Sequence, residues 1–195
     1  MKRIFILLAI LFGAATATRA QIVDFTSIDV QTESVKVIDV STRPTGFVYG
    51  LGVGLHPIAF SRIDYTAVNF DLKPIFLCWQ ITPKFQWNVF DFNLGLGSAF
   101  VGDLATRFTY FFSPKIKSFY ASLKLGYAIG DEKKVNKNSF MINGMTFGLG
   151  AGYAWKNIML GVDFDMYNTE YYLSKEKRSE ITPTLSLKAV FSFTL

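Results

Sequence analysis

Residues Met145 to Met166, MTFGLGAGYAWKNIMLGVDFDM, read as two amphipathic strands joined by a tight turn. Apolar side chains take every second position of both segments, which is the period of a β-strand with one apolar face. A two-residue turn at Lys156-Asn157 makes Trp155 and Ile158 cross-strand partners on that face. The other face carries glycines and a few acids, which cannot solubilise a sheet but fit inside a narrow barrel surrounded by lipid. This stretch therefore predicts a β-hairpin of a membrane barrel.

The same two-residue period recurs along the chain and predicts eight strands in all. Besides the hairpin, they cover residues 46–55, 75–81, 85–96, 104–112, 119–129 and 185–195. The third changes phase between Val89 and Phe90. A β-bulge there, which we favour, keeps its apolar side chains on one face, and without it Trp87 turns into the barrel. The first is predicted to end at His56-Pro57, because proline removes a donor from the ladder. The fold class predicted is all-β: an eight-stranded antiparallel up-and-down transmembrane β-barrel.

The predicted connections alternate between short and long. Short turns fall at 82–84, 113–117 and 156–157, and longer segments at 56–70, 97–103, 130–139 and 168–182, although 65–72 also reads as an extended second strand. Bacterial outer-membrane barrels have short periplasmic turns and longer extracellular loops. Aromatic residues typical of an interfacial girdle lie near the predicted periplasmic end: Phe47, Tyr49, Trp79, Phe112, Phe119, Tyr153, Trp155 and Phe193. Both patterns favour an outer-membrane location with the long segments outside the cell.

The N-terminus has the layout of a secretory signal peptide. Lys2-Arg3 precede an apolar run from Ile4 to Ala15, and small residues follow up to Ala20. A membrane anchor is less favoured, because the run is shorter than the roughly 20 apolar residues that cross a bilayer as a helix. We expect cleavage after Ala20, a periplasmic tail over residues 21–45 and the barrel over residues 46–195.

Composition limits the partners and the redox chemistry. The chain carries 20 Lys and Arg against 15 Asp and Glu, and loss of Lys2, Arg3 and Arg19 with the signal leaves 17 bases, a formal charge of +2. An exported chain without a basic stripe is not expected to bind nucleic acid. Cys78 is the single cysteine, so no intramolecular disulfide is possible and a buried thiol is expected.

The strand pattern over residues 46–195 resembles the small eight-stranded outer-membrane barrels of the OmpA and OmpX type. The C-terminal alternation is similar to the signal by which such proteins are recognised for membrane assembly, although that family usually ends in an aromatic residue: Leu187, Ala189, Phe191, Phe193, Leu195. The resemblance implies a bacterial outer-membrane location, with outer-membrane lipid and lipopolysaccharide as surroundings. It also implies the barrel-assembly machinery as a partner during biogenesis.

A lipocalin-like secreted barrel is the structural alternative, since it also has eight strands of alternating polarity. Its polar face would point to water and its apolar face inward. Residues 46–55 and 141–155 contain no charged side chain on either face, so neither segment offers a soluble surface. The faces therefore favour the membrane orientation.

The favoured function is non-enzymatic: a barrel that presents extracellular loops for surface interaction or envelope integrity, an expectation that rests partly on fold analogy. One alternative is a lipid A acyltransferase or deacylase, for which His56, the one histidine, is a weak catalytic candidate. Ser61 and Ser98 lie in neighbouring segments, but no His-x-Ser pattern surrounds His56. The other is a very narrow channel, because side chains nearly fill an eight-stranded barrel. No metal cluster or phosphate loop is evident, so no cofactor or metal is expected.

Six charged residues occupy the polar face of the predicted strands: Asp91, Arg107, Lys124, Asp163, Asp165 and Lys188. Strand residues rise about 3.3 Å each, and the offsets from the turns place five of the six at similar depth. An isolated charge in a narrow lumen is costly, whereas a paired and hydrogen-bonded set is accommodated. We therefore expect an ionic cluster across the middle of the lumen, with separately hydrated charges as the alternative.

Overall fold

The computed structural model of the chain describes residues 42–173 and 176–194. The predicted signal peptide, residues 1–20, and residues 21–41 of the predicted tail lie outside the described residues. The described residues form nine strands: β1 Gly46–Phe60, β2 Tyr65–Thr82, β3 Phe85–Gly97, β4 Val101–Phe111, β5 Ser118–Gly130, β6 Lys133–Val135, β7 Asn138–Trp155, β8 Ile158–Leu173 and β9 Glu176–Thr194. No helix in this part of the chain is long and apolar enough to cross a membrane.

Eight of these strands close into a barrel. Strands β1 to β5 pair in sequence, as do β7 to β9, and the pairings of β1 with β9 and of β5 with β7 complete the circle. All of these pairings are antiparallel. The three-residue strand β6 extends the sheet beside the first residues of β7. The predicted all-β, eight-stranded, up-and-down antiparallel barrel is therefore confirmed.

The hairpin of β7 and β8 has the predicted register. Trp155 pairs with Ile158 across the turn Lys156-Asn157, and Lys156 takes a left-handed conformation with φ of 51°. Tight two-residue turns need such a backbone to match the twist of the strands. Because cross-strand partners share a face, the apolar positions of both strands point outward together.

The two ends of the barrel are joined differently. We call the end where β1 begins and β9 ends the near end, and its connections are residues 83–84, 112–117 and 156–157. The opposite, far end holds the connections at 61–64, 98–100 and 131–137 and the one from Leu173 to Glu176. The short turns of the near end agree with the sequence prediction.

The long far-end loops predicted at 56–70 and 168–182 are wrong, because most of their residues are strand. β1 runs to Phe60 and β2 starts at Tyr65. β8 runs to Leu173 and β9 starts at Glu176. The segment 130–139, also predicted as loop, contains β6 and the start of β7. Strands β1 and β9 have 15 and 19 residues, more than the roughly 9 to 11 that cross a bilayer. The barrel wall therefore continues beyond one bilayer thickness at the far end.

His56-Pro57 does not end the first strand, contrary to prediction. On the β2 side the ladder continues through Pro57, which pairs with Val68. On the β9 side the pairing passes from Leu55 to Ile58 and omits the two residues between them. Proline lacks a backbone N–H donor, but only the ladder with β9 is interrupted here. The strand continues because it stays paired with β2.

Irregular pairing marks the middle of β2 and β3. The β2–β3 register shifts between Leu77 and Cys78, opposite Phe90 and Asn88, so Val89 is the extra residue of the predicted bulge. That bulge is confirmed. A second irregularity surrounds Pro74 in β2, where the register shifts against both β1 and β3. It changes which positions of β2 face outward, from even numbers before the proline to odd numbers after it.

The outside of the barrel is apolar all round. Every barrel strand exposes a large apolar side chain, among them Leu55, Leu77, Phe90, Leu104, Leu125, Leu149, Leu160 and Leu187. At the near end the predicted aromatic residues form contacts with one another, as when Phe47 stacks on Trp79 with ring centroids 5.9 Å apart. Phe119 and Tyr153 meet edge to face at 5.1 Å. These faces are the reverse of those of a lipocalin-like barrel, and they match a wall that meets lipid.

Side chains fill the lumen in three layers. The far-end layer is an apolar cluster that includes Ile58, Phe60, Phe140, Ile142, Tyr167 and Tyr171. The near-end layer is a second cluster that includes Val48, Phe76, Cys78, Phe111, Tyr120 and Met159. Between the two lies a charged layer, which is the candidate site.

Candidate functional site

Nine charged side chains form the charged layer, and all of them come from inward positions of the strands. They are Asp71 and Lys73 of β2, Asp91 of β3, Asp103 and Arg107 of β4, Lys124 of β5, Asp163 and Asp165 of β8, and Lys188 of β9. Eight are less than a tenth exposed, and the Lys188 side chain is 13 % exposed. Five carboxylates therefore lie with four cations in a largely buried space. Burying so many charges costs free energy that pairing between opposite charges must offset.

Arg107 is the centre of the larger group of charges. Its Nε donates to Asp91 Oδ2 at 2.6 Å, and its Nη2 lies 2.8 Å from Asp163 Oδ2. Lys73 forms an ion pair with the first of these carboxylates and Lys188 with the second. The planar guanidinium suits this role, because its fixed fork of donors reaches two carboxylates on different strands at once. The group joins β2, β3, β4, β8 and β9 across the lumen.

Lys124 is the centre of the smaller group. Its Nζ lies 2.6 Å from Asp103 Oδ2 and 2.8 Å from Asp165 Oδ1. The same ammonium lies 5.5 Å from the ring centroid of Tyr167, within the range of a cation–π contact. This group joins β4, β5 and β8 and lies directly beneath the far-end layer, to which Tyr167 belongs.

Glycines on β7 make room for the carboxylates of β8. Gly148 pairs with Asp165 and Gly150 pairs with Asp163. A Cβ atom at Gly150 would come within 2.5 Å of Ser122 Oγ and would also overlap the Asp163 carboxylate. β7 carries no inward side chain at Gly148 and Gly150. This leaves the space in which Asp163 and Asp165 of β8 meet their cations.

Little empty space remains among these side chains. The cavity between the charges has a volume of about 30 Å³, which is room for roughly two water molecules. The Oδ1 atoms of Asp71, Asp103 and Asp163 are buried without a hydrogen-bond partner. Buried water is the usual partner of such atoms. The charged layer therefore fills the cross-section of the lumen at its level.

All six residues predicted from the sequence lie in this layer, in two groups rather than one. Asp91, Arg107, Asp163 and Lys188 share the larger group, and Lys124 and Asp165 lie in the smaller one. Sequence reasoning missed three charges, Asp71, Lys73 and Asp103. The first two are in phase with Ala67 and Asn69 on one face of β2, a signal that the phase change at Pro74 obscured. Asp103 fell in a segment predicted to be loop.

His56 lies inside the barrel, at the boundary between the charged and far-end layers. Its Nε2 lies 2.8 Å from Thr184 Oγ1, its Nδ1 lies 3.3 Å from Asp71 Oδ2, and its ring packs beside Tyr167. The order carboxylate, imidazole, hydroxyl is that of a hydrolytic triad. The imidazole is only 1 % exposed, so a lipid on the outer surface has no route to it.

The structure does not bring the candidate serines to the histidine. Ser61 lies in the exposed far-end connection after β1, and Ser98 donates a hydrogen bond to the carbonyl of Val68 at 3.3 Å. The hydroxyl that meets His56 belongs to Thr184. Within the described ranges, no group of three or more His, Cys, Asp or Glu residues is arranged to hold a metal ion.

Cys78 is a buried thiol of the near-end layer. It accepts a hydrogen bond from Gln86 Nε2 at 2.9 Å and donates one to the carbonyl of Val48 at 3.3 Å. The thiol is fully enclosed, so it packs as a small apolar side chain.

No protein-family model matches the chain, and no curated protein sequence matches it. Among solved structures the chain is similar to the N-terminal β-barrel domain of OprF from Pseudomonas aeruginosa, at 11 % identity and a TM-score of 0.49, over 77 % of this chain and 100 % of that one. It is similar to the Neisserial surface protein A, NspA, at 14 % identity and a TM-score of 0.46, over 77 % and 100 %. The outer membrane protein OprG from Pseudomonas aeruginosa follows at 9 % identity and a TM-score of 0.43, over 80 % and 99 %.

Proposed function

We propose that the chain is a non-enzymatic outer-membrane β-barrel protein that presents its far-end connections outside the cell, for surface interaction or envelope integrity. The observation that carries the proposal is the contrast between the two faces of the wall. The outer face exposes large apolar side chains on every barrel strand, whereas a soluble protein rarely exposes more than a few hundred Å² of contiguous apolar surface. The inner face is filled, so the barrel acts as a scaffold.

The aromatic contacts and the surface charges support the orientation. Aromatic side chains cluster at the near end, as they do where a barrel meets the interface. The far end carries exposed charged residues of both signs: Arg62, Asp131, Glu132, Lys134, Lys137, Glu176, Lys177 and Arg178. We propose that outer-membrane lipid and lipopolysaccharide surround the barrel. We also propose the barrel-assembly machinery as its partner during biogenesis.

The filled lumen argues against a wide pore. Solutes would have to pass two apolar layers and the charged layer, in which the cavity is about 30 Å³. A very narrow channel is the weaker alternative, and reconstitution in planar bilayers tests it. We expect no conductance steps from the purified barrel, and reproducible steps would favour the channel.

A lipid A-modifying enzyme is the second alternative, and the contact of His56 with Thr184 and Asp71 is the observation in its favour. Burial of all three side chains weighs against it. Mass spectrometry of lipid A from cells with and without the protein separates the two functions. We expect identical acyl patterns, and a difference that disappears in His56→Ala would establish the enzyme instead.

The topology is tested by labelling single cysteines on intact cells. A Lys134→Cys variant in the Cys78→Ser background should react with a membrane-impermeant maleimide, because Lys134 lies at the far end. The matched variant Lys156→Cys places the thiol in the near-end turn and should react only after the cells are broken. The opposite pattern would invert the barrel and remove the basis for loop display.

A further inference from the structure

A cavity of about 320 Å³ opens at the near end, beneath the residues that precede β1. Its polar lining consists of Arg43, Gln80, Gln86, Lys156, Asn157 and Ser192. Two of these side chains are cationic, and no described Asp or Glu lines the cavity. This cavity thus differs from the charged layer, in which five carboxylates face four cations. Its size is at the lower end of the range of small-molecule sites.

Arg43 is held in this cavity by three contacts that do not neutralise it. Its backbone N–H donates to the carbonyl of Pro114 at 2.8 Å, and its Nη2 donates to the carbonyl of Ile116 at 3.1 Å. The guanidinium carbon lies 3.6 Å from the ring centroid of Phe111. These contacts fix the position and plane of the side chain. None of them supplies a negative charge.

The guanidinium of Arg43 remains incompletely satisfied. The residue is only 9 % exposed, and its Nε is buried without a hydrogen-bond partner. None of the described carboxylates forms an ion pair with it. Burial accordingly lowers the pKa of Arg43 to about 10, so the side chain is still cationic at neutral pH. A buried cation with a free donor and no counter-charge costs stability, and an anion seated beside it would offset that cost.

We propose that this cavity is a binding site for an oxyanion, a phosphate or carboxylate group, held by Arg43 and Lys156. The guanidinium of Arg43 lines the cavity, and its fork of N–H donors is of the kind that binds such groups with a defined geometry. Lys156, in the β7–β8 turn, also lines the cavity and adds a second positive charge. The site goes beyond the proposed function and needs only the barrel, whichever way the barrel is oriented.

The oxyanion has two external sources that share this chemistry: a free anion in solution and the headgroup of a phospholipid at the near end. A third occupant is internal, since the chain before Thr42 contains Asp39, whose structure is not described. The protein should respond to added phosphate differently for each of these occupants. One series of titrations therefore separates them.

Inorganic phosphate is titrated, at constant ionic strength, into the full mature barrel folded in a maltoside detergent that carries no phosphate. The readout is the temperature at which the folded form is lost on heat-modifiability gels, with calorimetric titration as the direct measurement. We expect saturable stabilisation of the wild type. Arg43→Gln should weaken binding at least tenfold, and Lys156→Gln should weaken it several-fold.

The matched control is Lys117→Gln, which removes an exposed near-end lysine that contacts Trp155 and does not line the cavity. It should bind phosphate as the wild type does. Equal weakening in Lys117→Gln and Lys156→Gln would reduce the effect to general surface charge and overturn the proposal. If Arg43→Gln does not fold, Lys156→Gln decides alone, and wild-type binding by that variant also overturns it.

Two further arms identify the source. Acetate in place of phosphate tests the carboxylate, and repetition in phospholipid nanodiscs tests the headgroup: loss of the phosphate response there assigns the site to lipid, and its persistence assigns it to a free anion. No binding by the wild type together with binding by Asp39→Asn would show that the chain fills its own site, which overturns an external ligand. No binding by either protein overturns the site altogether.

Discussion

The charged layer and the far-end layer fill the same lumen at adjacent levels by opposite means. The charged layer holds nine charged side chains, eight of which form ion pairs with one another, as in the contacts of Arg107 and Lys124 at 2.6 to 2.8 Å. The far-end layer holds rings and branched side chains, with Phe60 and Phe140 at a centroid distance of 3.9 Å. One layer fails when a charge loses its partner, and the other fails when volume is lost. Single substitutions can therefore tell them apart.

The largest effect is expected from Arg107→Ala. The substitution leaves Asp163 with Lys188 alone and Asp91 with Lys73 alone, and it opens a space where two strands were joined. Two buried hydrogen bonds between charged groups are lost at once, each worth about 1.5 to 3 kcal/mol, so the cost is at least about 3 kcal/mol. We expect the urea midpoint of the reconstituted barrel to fall accordingly.

Arg107→Lys is the matched control for this variant. It keeps the charge but loses the two-pronged geometry, so its midpoint should lie between those of the wild type and Arg107→Ala. A midpoint of Arg107→Ala equal to that of the wild type would mean that the carboxylates are separately hydrated. Ion pairing would then not be what stabilises the charged layer.

Phe140→Ala tests the far-end layer and should cost about 3 kcal/mol, at the lower end of buried aromatic truncations. Phe140 is fully buried against Phe60 and Tyr65, and its loss leaves a cavity that rigid strands cannot close. Phe140→Leu restores most of the volume and should recover most of the urea midpoint. Equal loss in both variants would show that ring contacts, rather than filled volume, stabilise this layer.

The same two layers show what the sequence could predict. The barrel could be predicted from the hairpin around Lys156-Asn157 and from the two-residue period. Six of the nine lumen charges could be predicted as well, because they lie on strands with one apolar face. Asp71 and Lys73 were missed since the apolar face of β2 changes phase at Pro74. A pattern with a constant period cannot follow such a change.

The far-end layer was missed for a different reason. Its members lie largely in segments predicted as loops, such as Phe60 in 56–70 and Tyr171 in 168–182. Strands that extend beyond the apolar belt need no continuous apolar outer face. The start of β9 exposes Glu176, Lys177 and Arg178, and there the alternation weakens. Pairing between such strands depends on the register set inside the barrel, and local sequence does not contain that information.

Lys73→Met should have a smaller effect than either of the first two substitutions, about 1.5 kcal/mol, the value of a hydrogen bond to a charged group. Asp91 retains Arg107 when Lys73 is removed, so no carboxylate is left unpaired, and methionine keeps most of the side-chain volume. The measurement is again the urea midpoint. A loss as large as that of Arg107→Ala would mean that Lys73 rather than Arg107 holds the larger group together.

The smallest effect is expected from Arg62→Ala, although Arg62 also forms an ion pair. Its Nε donates to Glu180 Oε1 at 2.7 Å across the far end. Here the Arg62 side chain is 47 % exposed, and exposed pairs contribute little because water and salt screen them.

The protonation of Arg62 does not alter this expectation. The hydrogen bond and charge of Glu180 raise the pKa of Arg62 above its ordinary value, so any stabilisation from that shift is present below the ordinary pKa and is lost only as the pH rises through the raised one. That range is far above any pH at which the barrel is studied. We therefore expect no measurable change in urea midpoint for Arg62→Ala, at low salt, at high salt, or between pH 6 and 9. A drop comparable to that of Lys73→Met would show that pairing at the exposed far end is coupled to the barrel, and burial would then no longer explain the difference between the ion pairs of this protein.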